Sequence, residues 1–218
     1  MRNISSRITT SLSLLAMAAT LAGCVGAVAV GAGAGTLMAT DRRISEVYLA
    51  DEAIEIRTDN AIRQQVGDKV HVNATSYNRM LLLTGEVPDA ASKDMVEKVA
   101  IANSSEIKRI TNELQVAPLS SYTTRSNDTY LTSKVKARFL DAARFSINHV
   151  KVVTENNSVY LLGLVTQSEA DAAVEIARTT GGVQRVVRVF EVISDEQAKQ
   201  IDRQLSGKPA ESKPAAKS

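Results

Sequence analysis

Chemistry has few places to start in this chain. Among 218 residues there is one cysteine, Cys24, and there are two histidines, His71 and His149. A single thiol excludes an internal disulfide and any multi-thiolate metal centre. Neither histidine stands at ligand spacing from Cys, Asp or Glu, so both read as surface or strand-start residues, and neither a metal nor a cofactor is expected. No GxSxG elbow, phosphate loop or dinucleotide fingerprint is present, which argues against an enzyme. What remains is recognition chemistry. Wound as a helix at about 100° per residue, "TYLTSKVKARFLDAA" (129–143) gathers Leu131, Val135, Phe139 and Ala142 on one side. The other side holds Tyr130 and Leu140, with Ser133, Lys134, Lys136 and Ala137 around them. A ring and an aliphatic chain among lysines suit the headgroup boundary of an anionic phospholipid membrane. The same face could instead pack on another part of the chain, since isolated apolar surface residues are ordinary.

A face of that kind needs something to bring it to a bilayer, and the N-terminus offers it. Arg2 and Arg7 precede the apolar run "SLSLLAMAATLA", which leads into "LAGC" at 21–24. A basic start, a short apolar run and small residues before the cut predict a secretory signal peptide over 1–23. The run is too short to span a bilayer. "LAGC" resembles the bacterial lipobox, which implies cleavage before Cys24 and acylation of that residue. Several acyl chains, at roughly 0.8 kcal/mol per buried methylene, make a stable anchor. Val25, rather than Asp, follows the cysteine, and by resemblance to lipoprotein sorting rules this implies the periplasmic face of the outer membrane in a Gram-negative bacterium. Cleavage removes Arg2 and Arg7 from 26 basic residues and no acidic ones, leaving 24 against 24. Attraction to an anionic surface must then come from local patches. Aromatics make up only 4% of the chain and Trp is absent. Cores are therefore aliphatic, base stacking is poorly supplied, and no nucleic-acid partner is expected.

After the cysteine, 24–50 reads as a flexible tether, because "VGAVAVGAGAGTLMAT" is uncharged and rich in Gly and Ala. The chain then repeats itself. "VNATSYNRMLLLTGEV" (72–87) aligns without a gap on "VKVVTENNSVYLLGLV" (150–165), so that His71 matches His149 and Gly85 matches Gly163. Each copy predicts a helix (51–66 or 128–143), two strands joined at "YNR" or "ENN", a second helix (89–103 or 167–180) and a last strand (106–116 or 183–193). The expected fold is α+β: two tandem αββαβ units over 51–117 and 128–194, each a three-stranded mixed sheet with two helices. Gly85 and Gly163 lie within strands, where glycine marks a bulge or a close backbone approach. The polar stretch 118–127 reads as a linker in which Asn127 or Asp128 caps the following helix. The segment "DEQAKQIDRQL" (195–205) reads as a short terminal helix, and the Pro- and Lys-biased tail 207–218 as disordered.

The repeated unit with its strand glycine resembles the BON domain. Two such units behind a lipobox resemble the dual-BON-domain outer-membrane lipoproteins, the DolP-like family, most specifically at "LAGCV", "ADEAIEIR" (50–57), "SNDTYLTSKVKARFL" (126–140) and "VYLLGLVT" (159–166). The resemblance implies anionic phospholipid binding by helix 128–143, with Tyr130 where the family frequently has Trp, and a part in outer-membrane integrity and at the division site. The two equivalent helices differ in charge. The first carries Asp51, Glu52, Glu55 and Asp59 against Arg57 and Arg63, and the second carries Lys134, Lys136 and Arg138 against Asp128 and Asp141. Acidic residues on such helices ordinarily mark a solvated face, and only the second helix is expected to turn apolar residues outward. In a rival reading, Tyr130 and Leu140 anchor an envelope assembly protein and the chain acts as an adaptor or chaperone-like factor.

Overall fold

The computed structural model describes residues 41–206. They belong to one compact unit. The signal segment 1–23, Cys24, the tether up to residue 40 and the tail 207–218 lie outside the described residues.

Both repeats fold as αββαβ. The first comprises α1 (Ser45–Gln65), β1 (His71–Tyr77), β2 (Met80–Val87), α2 (Ala90–Asn103), β3 (Arg109–Asn112) and β4 (Gln115–Val116). The second comprises α3 (Tyr122–Ala142), a 3-10 turn (Ile147–His149), β5 (Val150–Glu155), β6 (Ser158–Val165), α4 (Gln167–Arg178) and β7 (Arg185–Val192), and α5 (Asp195–Leu205) follows. In each sheet the central strand pairs antiparallel with the strand before it and parallel with the strand after the helix. The last lane of the first sheet, expected as one strand over 106–116, is broken between β3 and β4. The α2 side chains break it: Glu97 accepts from Asn112 Nδ2 at 2.8 Å, and Lys93 Nζ donates to the Leu114 carbonyl at 2.8 Å. Leu114 is thereby buried in the first core.

Both hairpins close through two residues of positive φ, Asn78–Arg79 and Asn156–Asn157. This is the turn whose twist matches that of paired strands. An aspartate from the preceding helix holds each turn. Asp51 accepts from Asn78 N (2.8 Å), Arg79 N (2.7 Å) and Ser76 Oγ (2.6 Å), and Asp128 accepts from Asn156 N and Asn157 N, both at 2.9 Å. Both aspartates are buried. The expectation of a solvated acidic face therefore fails at Asp51 and Asp128, because each helix lies across its own hairpin and brings a carboxylate onto unpaired turn amides. The expected capping role of Asn127 or Asp128 fails with it. The helix begins earlier, and Ser121 caps it by accepting from Thr124 N at 3.1 Å. The 118–127 linker thus shortens, because 122–127 become the first turns of α3.

The strand glycines stand where their neighbours leave no room. A Cβ on Gly85 would run into the His71 carbonyl oxygen, and one on Gly163 into that of His149. Gly85 also has φ +114°, in the region that disfavours side chains.

The two units pack sheet against sheet. Leu81 and Leu83 of β2 point into the first core with Ile54, Val96 and Val99, whereas Leu82 points the other way. There it meets Tyr77, Tyr160, Leu162, Leu164 and Val189 in a third core shared by both units. This explains why the runs "MLLLTGEV" and "VYLLGLV" are apolar or buried on both faces: helices cover one face and the twin sheet covers the other. Polar pairs rim the seam, with Asn73 on Glu155 (2.7 Å), Asn78 on Glu191 (2.6 Å), Lys151 on Glu55 (2.7 Å) and Arg185 on Glu113 (2.6 Å).

The end of the expected tether is part of this fold. Arg42 is buried; its guanidinium pairs with both oxygens of Glu169, with Asp202 of α5 (2.8 and 2.9 Å) and with the Leu164 carbonyl. Arg43 bonds Asp41 and Asp51 and lies 4.1 Å from the Tyr77 ring centroid. Residues 41–50 are therefore not a flexible leash, because carboxylates from α1, α4 and α5 immobilise the two arginines. Burial on its own would raise the Glu169 carboxyl. Hydrogen bonds from His149, Arg42 and the Thr166 amide outweigh it and hold the group down at about 2. A carboxylate depressed in this way contributes stability that is complete above its unfolded value of about 4.3 and is lost as pH falls toward 2. Thermal melts should therefore drop over that window. In Arg42→Gln the melting temperature should start lower at neutral pH and depend less on pH across the same window, which circular dichroism melts at stepped pH would check.

Candidate functional site

Helix α3 is committed to protein on three of its sides. Leu131, Val135 and Phe139 are buried, and Phe139 meets Phe145 edge-on with ring centroids 5.0 Å apart. Thr132 Oγ1 donates to Thr154 Oγ1 at 2.7 Å. On the far flank Arg138 donates to the Ile176 carbonyl and to Thr180 Oγ1, both at 2.8 Å, and so closes the last turn of α4. With Asp128 pinned to the hairpin, the helix cannot roll, and one fixed face looks outward.

The residues expected on that face are on it. Tyr130 is 65% exposed and Leu140 67%, while Ser133, Lys136 and Ala137 are also exposed. Ser133 Oγ turns back to donate to the Thr129 carbonyl at 3.1 Å. Lys136 makes no ion pair among the described residues. Lys134 differs: its Nζ donates to the Gly181 carbonyl at 2.8 Å, which draws the ammonium to the edge of the face beside the α4–β7 turn. A carbonyl leaves that charge unneutralised, so the cation still contributes to the local field.

Two features escape the sequence reading. Tyr122, 87% exposed, extends the face at the start of α3. It lies in a stretch that reads as linker because "TTRSND" has no apolar periodicity; the signal that reveals it is Ser121 placed to cap Thr124. The second lies on the twin helix. Helix α1 also turns large apolar residues outward, Leu49 at 64% and Ile56 at 60% exposed. The contrast between the twin helices therefore lies in charge and aromatic content, not in exposed apolar surface alone.

The histidines are less bland than expected. His149 is buried with Nδ1 3.3 Å from Glu169, and His71 Nδ1 lies 2.9 Å from Glu86 Oε2. No helix among the described residues is long and apolar enough to cross a membrane.

Two αββαβ units joined sheet to sheet, each with a strand glycine against its own hairpin, define a tandem BON-domain protein. The BON domain family model matches residues 51–118 and 127–194. Over 176 residues the chain is 39% identical to the outer membrane lipoprotein DolP of Haemophilus influenzae, covering 79% of this chain and 90% of that protein. It is 28% identical over 155 residues to the 21 kDa hemolysin of Actinobacillus pleuropneumoniae, covering 70% and 79% respectively. CdsD, a structural protein of the type III secretion system of Chlamydia trachomatis, aligns at 12% identity over 67% of this chain and 96% of that one, with a TM-score of 0.28, too low to carry an argument. The chain belongs to the DolP-like family of dual-BON-domain outer-membrane lipoproteins. Its place is accordingly the outer membrane of a Gram-negative cell.

Proposed function

We propose that this lipoprotein binds anionic phospholipid through the outward face of α3 and thereby supports outer-membrane integrity, gathering at sites such as the division septum. It acts as a binding module and not as an enzyme. The observation that carries the reading is the exposure of Tyr130 and Leu140 beside Lys136 on a helix whose other sides are all occupied. Tyr130 and Leu140 would sit at the acyl–headgroup boundary, with Tyr122 and Ser133 at headgroup level. Lys134 and Lys136 would each contribute about 1 kcal/mol against an anionic surface. A patch this small binds weakly alone. Acyl chains on Cys24, following removal of a signal peptide over 1–23, would hold it near lipid at high effective concentration.

Flotation of the 25–218 fragment, which keeps the compact unit intact, with vesicles containing or lacking an anionic phospholipid tests this. Binding is expected only with the anionic lipid, and Lys134→Glu with Lys136→Glu should weaken it at least about tenfold. Unchanged flotation of the double variant would refute the reading.

A second reading, a docking surface for an envelope assembly protein, has its own support in α1. Leu49 and Ile56 are exposed there among Glu52, Arg57 and Asn60, without the excess of basic residues that an anionic bilayer favours. An envelope-integrity defect in Leu49→Asp with Ile56→Asp, with vesicle binding intact, would assign that face to a protein.

A further inference from the structure

We propose that His71, Glu86 and Glu155 form a binding site for a divalent transition-metal ion of the zinc class, one that staples the first BON unit to the second. His71 opens β1 and Glu86 is its cross-strand partner on β2, so pairing register alone places them side by side. Glu155 ends β5, in the other unit, and the sheet-to-sheet packing brings it to the same point. One donor atom from each of the three lies within 4.8 Å of the others. His71 Nδ1 stands 2.9 Å from Glu86 Oε2 and 3.8 Å from Glu155 Oε1. A tetrahedral zinc ion with bonds of about 2.0–2.2 Å needs its ligand atoms roughly 3.3–3.6 Å apart, a spacing that these two distances bracket. One imidazole nitrogen with two carboxylates is a donor set for zinc or its neighbours. Magnesium and calcium prefer oxygen alone.

Charge balance points the same way. Glu86 and Glu155 are 3% and 7% exposed. Among the described residues neither pairs with a lysine or an arginine; the only basic group against them is the His71 ring. At the equivalent place in the twin unit, an arginine from the segment before α1 meets this need. His149 also stands beside two carboxylates, Glu169 and Asp202, and there the Arg42 guanidinium lies against both. Around His71, Glu86 and Glu155, no arginine among the described residues plays the part of Arg42.

Outer contacts are in place to orient the ligands. Asn73 Nδ2 donates to Glu155 Oε2 at 2.7 Å, and the Ser120 amide donates to Glu86 Oε2 at 3.1 Å. The His71 side chain keeps 17% of its surface exposed, which gives an ion access from solvent. Because the ligands come from both units, metal binding would stabilise the seam.

The test uses the full chain purified in detergent, stripped with a chelator and titrated with Zn²⁺, or with Co²⁺ as an optical probe. The expected result is one ion per chain, tetrahedral cobalt bands in the visible, and a melting temperature that rises with free zinc. Glu155→Gln and His71→Gln should each weaken binding at least about tenfold, and His149→Gln should leave the titration unchanged. If His71→Gln fails to fold, the isosteric Glu155→Gln decides. The proposal is overturned if the chain shows no cobalt bands and no zinc-dependent melting shift. It is equally overturned if Glu155→Gln binds as the parent does, because the ion is then held by scattered surface carboxylates.

Discussion

Gly85→Ala is expected to destabilise the 25–218 fragment by about 3–5 kcal/mol, the combined cost of a disfavoured backbone conformation and of forced overpacking. Two independent obstacles meet at this position. The new Cβ would collide with the His71 carbonyl oxygen across the hairpin, and φ +114° disfavours any L side chain. The obstructing atom is backbone in a paired strand, so it cannot swing aside as a side-chain tip would. At roughly 2–4 °C per kcal/mol for a chain of this size, the melting temperature should fall by roughly 6–20 °C. Gly163→Ala meets the same kind of clash, with the His149 carbonyl, but without the positive φ. It should therefore cost less than Gly85→Ala. Circular dichroism melts of the two variants check both the size and the order, and a Gly85→Ala protein melting within about 2 °C of its parent would refute the close approach.

The second large effect is expected at Asp51. Its carboxylate accepts from two turn amides and the Ser76 hydroxyl, and pairs with Arg43 at 2.8 Å, while only 2% exposed. Asp51→Ala leaves these donors unsatisfied in the interior and deprives a buried guanidinium of one of its two carboxylates, a loss of about 3–5 kcal/mol. Arg79 adds to it, since a non-glycine residue at φ 63° is held there partly by the hydrogen bond that its backbone N–H donates to Asp51. Asp128→Ala removes only the two bonds to Asn156 N and Asn157 N and should cost about 1–3 kcal/mol. Chemical denaturation of both variants would check the ranking, and equal losses would contradict it.

These two sites also mark where sequence reasoning stops. The duplication, the αββαβ order and the strand glycines were legible because each rests on local periodicity or on a residue with one dominant structural use. The outward face of α3 was legible for the same reason: with Leu131, Val135 and Phe139 inside, helical geometry leaves Tyr130, Ser133, Ala137 and Leu140 outside. Asp51 and Asp128 were not legible, because an acid on an amphipathic helix looks solvated until the hairpin it crosses is known. Arg42 was hidden for a related reason, since its partners Glu169 and Asp202 lie 127 and 160 residues away in the chain. The burial of β2 and β6 on both faces was not legible either, because nothing local says what covers the second face, and only the third core identifies it as the twin sheet. Tyr122 and the early start of α3 depend on a polar first turn held by a cap, a signal far weaker than an apolar stripe.

The fixed face of α3 is the proposed contact with anionic lipid. Its most direct test is amide NMR of the 25–218 fragment titrated with anionic micelles and, separately, with zwitterionic ones. Shifts and broadening are expected at Tyr122, Tyr130, Ser133, Lys134, Ala137 and Leu140, with the anionic micelles only. Perturbations centred on Leu49 and Ile56 of α1, or none in α3 with either micelle, would contradict it.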